Sequence, residues 1–206
     1  MSKAPIIILE GTWWKNNEVP QVLPYFNALA NSEGGIDLSY RTIRSSDDIG
    51  YYVSKIPKNA GAMLYFACHG EDLHLKPAGG RAKIPHSELL AALGKAKAGA
   101  VSFVHFSCCE MIDPKDERDT HQKILDATRA KWSSGYTKDV DWLQSMLLEL
   151  ALVNEIFSPQ HNVVDGGKAK INTRAKAFLE TYEQLARKLG FSALSKVTGG
   201  AKLFPE

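Results

Sequence analysis

The sequence predicts a single three-layer α/β domain, with a mostly parallel central sheet flanked by helices. Three observations carry that expectation. Apolar runs recur at residues 5–9, 62–68 and 100–108, the first two continuous and without the alternation of a half-exposed strand, as expected for strands covered on both faces. Amphipathic segments of ten or more residues separate them, enough for crossover connections between parallel strands. No internal repeat or low-complexity tract interrupts the 206 residues, a length that suits one large core.

Taken in order, PIIIL (5–9) reads as the first strand, followed by the loop GTWWKNNE and a helix from about 19 to 30. DLSYRTI (37–43) reads as a second strand, and SSDDIGYYVSKI as a helix capped by Ser45 or Ser46. Asp47 and Asp48 then fit the positive end of that helix. AMLYFAC (62–68) is the third strand, DLHL a short extension or hairpin arm, and IPHSELLAALGKA a helix with Pro85 near its first turn. AVSFVHFSC (100–108) is the fourth strand, and the polar stretch after it becomes helical toward residue 132. SGYTKDV (134–140) reads as a weak fifth strand, and DWLQSMLLELALVNEIF as a strong helix with Asp141 at its N-cap. From residue 157 to 206 the expectation is a loop and a C-terminal helix packed on the same domain, 1–206.

Composition narrows the function. A net charge of +2 gives no case for nucleic acid or an acidic membrane surface. The basic residues Lys168, Lys170, Arg174 and Lys176 alternate with apolar ones, as on a solvated helix face. No stretch is long and apolar enough to span a bilayer, and the N-terminus lacks a signal-peptide core. An odd count of 3 cysteines does not read as a disulfide framework, so free thiols in a reducing cytoplasm are the expectation. Metal-ligand spacings are missing around His69, His74, Cys108 and Cys109, and no metal or cofactor is expected. P-loop, dinucleotide and serine-elbow motifs are absent too.

In a parallel sheet, ligands bind beyond the carboxyl ends of the strands. That rule brings CHG (68–70) and SCCE (107–110) together at neighbouring strand ends. Histidine titrates near neutrality and suits activation of a thiol. His69 and Cys109, 40 residues apart, are separated by one crossover. Gly70 supplies a compact backbone with an accessible N–H, suited to a carbonyl oxyanion. Cys109 stands at the edge before Glu110, whereas Cys68 and Cys108 fall inside apolar runs and read as core residues. His105, inside the fourth strand, reads as packed or hydrogen-bonded, and His86 as a helix-start surface residue. Trp13 and Trp14 share the rim, and either cap the core or line a substrate groove.

The series YFACHG, LHL, IPHSELLAAL and AVSFVHFSCCE resembles the caspase-like (clan CD) cysteine peptidases, most of all their CHAT-type branch. The likeness covers residues 60–112, with Ser107, Cys108 and Cys109 standing where that family has Ser-Ala-Cys. The resemblance implies a cysteine endopeptidase: Cys109 as nucleophile, His69 as general base, Gly70 N–H in the oxyanion hole and a thioester acyl-enzyme. It also implies a substrate pocket shaped after the next strand, where Asp141 and Trp142 are candidates, with Trp13, Trp14 and Glu110 around it. Implied partners are a protein or peptide substrate and a regulatory protein or second copy. The caspase Gln-Ala-Cys-Xaa-Gly signature and a processing linker are absent. Two other readings stay open: a catalytically silent caspase-like binding or scaffold module, and a flavodoxin-like ligand-binding domain.

Overall fold

The computed structural model describes residues 4–12, 21–33, 36–77, 82–157, 171–197 and 200–205. Apolar, β-branched and aromatic runs form the strands β1 (Ala4–Glu10), β2 (Ile36–Thr42), β3 (Ala62–Ala67), β6 (Val101–Ser107) and β7 (Trp132–Tyr136). A small hairpin, β4 (His69–Glu71) and β5 (His74–Lys76), follows β3 directly. The helices are α1 (Leu23–Glu33), α2 (Ser46–Lys55), α3 (His86–Leu93), α4 (Glu117–Thr128), α5 (Trp142–Phe157) and α6 (Ile171–Leu189). Two last strands, β8 (Phe191–Val197) and β9 (Gly200–Phe204), close the chain.

The described sheet has the order β2-β1-β3-β6-β7-β8-β9. Its first five strands run parallel, and β8 and β9 are antiparallel. β3 and β6 sit at its centre, and alternation along them divides the core in two. Leu64, Phe66, Cys68, Val104, Phe106 and Cys108 face α2, α3 and α4. Met63 and Tyr65 face the opposite layer, with Phe26 of α1, Met146 and Leu152 of α5 and Phe178 of α6. Each fully buried side chain of this size contributes roughly 1.5–3 kcal/mol, so these central strands are firmly held. That is the mostly parallel three-layer α/β architecture expected from the runs.

Three local expectations change. The fifth strand lies at Trp132–Tyr136, earlier than SGYTKDV suggests, because Trp132 supplies its buried anchor. The last helix stops at Leu189, where Gly190 takes φ +66 and breaks it. Phe191–Val197 and Gly200–Phe204 then form two strands where only the end of a helix was expected. His86 begins α3 as expected but is half-buried, and that burial pushes its imidazole down. The caps agree with expectation. Ser45 and Asp48 form a reciprocal capping box on α2, and the Asp141 carboxylate accepts the Gln144 N–H at 2.9 Å on α5. Among the described residues, no helix is long and apolar enough to cross a membrane.

Candidate active site

β3 and β6 pair in register through Ala67 and Ser107, so the residues that follow emerge side by side. Cys68 and Cys108 come first, and their thiols meet 3.7 Å apart inside the α2/α3/α4 core. Cys108 also reaches the Phe66 carbonyl at 3.6 Å, and burial pushes its thiol well above the ordinary value. A thiol held in that way is a poor nucleophile. Both residues are core cysteines, as their apolar runs suggest.

His69 and Cys109 come next, one residue beyond on each chain. His69 opens β4, and Cys109 opens the turn after β6. The two turns are locked together by backbone. A Cβ on Gly70 would stand 2.0 Å from the Cys109 carbonyl oxygen, so only glycine fits here without moving main chain. The β4–β5 turn then leans on Glu110. Its carboxylate accepts the Asp72 N–H at 3.2 Å and its carbonyl accepts the Leu73 N–H at 3.0 Å.

This docking explains an otherwise costly backbone. Asp72, Leu73 and Glu110 all have positive φ (47°, 63° and 50°) without being glycine, a conformation costing roughly 1 kcal/mol or more each. The first two form the tight turn of the hairpin, where both central residues need positive φ. Glu110 thus serves the frame of the site directly.

Cys109 is partly exposed. Burial is the largest influence on its thiol and pushes it up, and the nearby Asp139 and Glu110 carboxylates add to that. The Val140 N–H, 3.5 Å from Sγ, pulls the other way. Left to itself, this thiol rests protonated at neutral pH and needs a base to become a nucleophile. Asp139 and Val140 lie in the rim loop KDVDW that the sequence places beyond the fifth strand, but nothing in the sequence marks them as the groups that face the thiol.

The other candidates spread around this centre. Asp141 caps α5. Trp142 is half-buried and packs edge-on against Tyr25 of α1, with centroids 5.6 Å apart. Trp13 and Trp14 lie outside the described residues. A pocket of about 230 Å³ opens beside the Glu110 turn, lined by Asp72, Leu73, Ile112 and Asp113 among others.

Behind the rim lies a polar network that the sequence did not disclose. Glu149 of α5 is 1% exposed and accepts the hydroxyls of Tyr65 and of Tyr136, the latter at 2.8 Å. His105 Nε2 stands 3.3 Å from the same carboxylate, close to it but not aligned as a hydrogen bond. Its Nδ1 meets Ser134 Oγ at 2.8 Å, and Trp132 Nε1 donates to that hydroxyl at 2.9 Å. Burial alone would push Glu149 up, but His105 and the two tyrosines together hold it below the usual carboxylate value. The signal was present: Ser145, Met146, Leu148, Leu152 and Val153 mark the buried stripe of α5, and Glu149 falls within it.

No protein-family model matches the sequence, and no curated protein matches it either. Solved structures do resemble it. The chain superimposes on caspase-1 from Spodoptera frugiperda with a TM-score of 0.50 and 12% identity, over 87% of this chain and 76% of that one. It superimposes on iotapain, a secreted C11 cysteine protease from Bacteroides thetaiotaomicron, with a TM-score of 0.51 and 9% identity. That match covers 95% of this chain and 67% of the protease. At such identities the likeness is one of fold.

Proposed function

We propose that this chain, which has a caspase-like fold, is a cysteine endopeptidase of the CHAT-type branch. The observation that carries the reading is the joined pair of strand ends. His69 and Cys109 follow adjacent central strands, and Gly70 packs on the Cys109 carbonyl. In the proposed reaction, His69 takes the Cys109 proton and the sulfur attacks a substrate carbonyl. The N–H groups of Gly70 and Cys109 stabilise the oxyanion. The C–N bond breaks as His69 returns the proton to the leaving amine, leaving a thioester. Water, deprotonated by His69, then cleaves the C–S bond and releases the acid. Asp141, Trp142 and Glu110 border the substrate, and Trp13 and Trp14 remain candidates for contact with it on the strength of the sequence alone. The substrate is a protein or peptide, a regulatory protein or a second copy tunes the site, and the setting is the reducing cytoplasm.

A second reading draws on the Cys109 environment: burial and two carboxylates keep the thiol protonated, as suits a silent binding or scaffold module. Terminal labelling of a proteome treated with wild type or Cys109→Ala distinguishes the two. New protein termini that need Cys109 and His69 support the peptidase. Identical termini from both proteins, with Cys109 inert to thiol-directed electrophiles, sink it.

A further inference from the structure

We infer that Glu149 is a positioning residue for the rim, setting the relative level of the three strand ends that hold His69, Cys109 and Val140. The inference rests on the reading of Cys109 as the reactive thiol. The geometry is a regular offset. Tyr65 of β3 lies four residues before His69, His105 of β6 four before Cys109, and Tyr136 four before Val140. All three side chains converge on the Glu149 carboxylate. Tyr65 and His105 are also direct register partners, with rings stacked at 5.4 Å.

The network extends toward the rim as well. The Ser107 side chain hydrogen-bonds the Tyr65 hydroxyl, and Ser107 is two residues from Cys109. Glu149 itself belongs to α5, whose start follows Asp139 and Val140, the groups that face the Cys109 thiol. One carboxylate thereby ties both chemistry-bearing strands to the segment that sets the thiol's environment. Packing alone does not call for this arrangement, since an apolar side chain of similar volume would fill the same space without burying a charge.

Such a tie acts on Cys109 without touching it. Loosening it draws the Val140 N–H, the group that favours the thiolate, away from Sγ. The test is the rate of Cys109 alkylation by iodoacetamide across pH 5–10, read at that peptide by mass spectrometry in the full chain. Glu149→Gln keeps the shape but removes the charge that holds two tyrosine hydroxyls and faces His105. Tyr136→Phe removes one hydroxyl only, so it reports even where the first variant folds poorly.

The expected result is a higher midpoint and about tenfold slower labelling at neutral pH in Glu149→Gln, one unit of pKa being a factor of ten. Tyr136→Phe and Tyr65→Phe should give smaller changes of the same sign, with thermal transitions that stay cooperative though lowered. An unaltered Cys109 profile in folded Glu149→Gln, or in both tyrosine variants, overturns the inference and leaves Glu149 a structural residue. His69→Ala in the same assay judges the peptidase reading separately: its effect concerns the base, whereas the Glu149 comparison is made with His69 intact.

Discussion

Two histidines are fully buried on opposite sides of the sheet, and neighbouring serines of one strand serve them. Ser134 meets His105 on the α1/α5/α6 side, and Ser133 meets His121 on the α2/α3/α4 side at 3.0 Å. The difference lies in the second partner. His105 faces the carboxylate of Glu149, but His121 Nε2 meets only the Ser192 hydroxyl at 3.1 Å. Ser192 gives its own proton to Glu117, so it accepts from His121, whose Nδ1 must accept from Ser133. That places His121 in one neutral tautomer. Hydroxyls alone leave an imidazole at the mercy of burial, which pushes His121 down to about 3. The sheet thus has one buried face organised around a charge and another organised around a neutral ring.

The largest expected effect comes from breaking the charged side. Glu149→Leu strands two tyrosine hydroxyls and the His105 ring, and should cost about 3–5 kcal/mol in urea denaturation. A loss below about 1 kcal/mol would mean that the carboxylate and its partners are not energetically coupled.

Acid sharpens the contrast on the neutral side. Folded His121 protonates only near 3, whereas the unfolded ring does so near the ordinary 6.5. Between those values the unfolded state holds the extra proton, so this contribution is full above 6.5 and is lost as the pH falls. From pH 7 to pH 5 it amounts to about 2 kcal/mol, and His121→Asn should remove that part of the acid dependence. An identical pH–stability curve for wild type and variant would place the acid sensitivity elsewhere.

The serines give a smaller, paired comparison. Ser134→Ala abandons both Trp132 Nε1 and His105 Nδ1, while Ser133→Ala abandons only His121 Nδ1. Each should cost about 1–3 kcal/mol, the first more than the second. Equal thermal shifts would contradict the greater connectivity of the Glu149 side.

Smallest is a surface charge at the rim. Asp139→Asn leaves stability within about 0.5 kcal/mol but removes one cause of the raised Cys109 thiol. Alkylation of Cys109 should then quicken at neutral pH by less than tenfold. Slower alkylation would reverse the sign assigned to that carboxylate.

Much of this was legible in the sequence because burial writes itself in apolar runs. The three central strands, the core character of Cys68 and Cys108 and the caps at Ser45 and Asp141 all follow from local pattern. β8 and β9 did not, since FSALSKV is short and interleaved with polar residues, and β7, the partner that ties it to the sheet, lies far away in sequence. The Glu149 network stayed hidden for a similar reason. A single acid in an apolar helix has meaning only once three other elements are known to point at it. The candidate site is intermediate: sequence brings His69 and Cys109 to adjacent strand ends, but Asp139 and Val140 are found only by folding.

The consecutive serines have a consequence for how β7 finds its place. In a strand, a shift of one residue exchanges the two faces. If β7 slipped by one position in one direction, Ser133 would replace Ser134 beside His105, and Trp132 would be thrust toward His121. A slip the other way would satisfy His121 with Ser134 and leave His105 opposite Gly135. Either error therefore contents one imidazole and orphans the other. The two rings act together as a parity check on the strand between them, and only the native alignment passes on both sides.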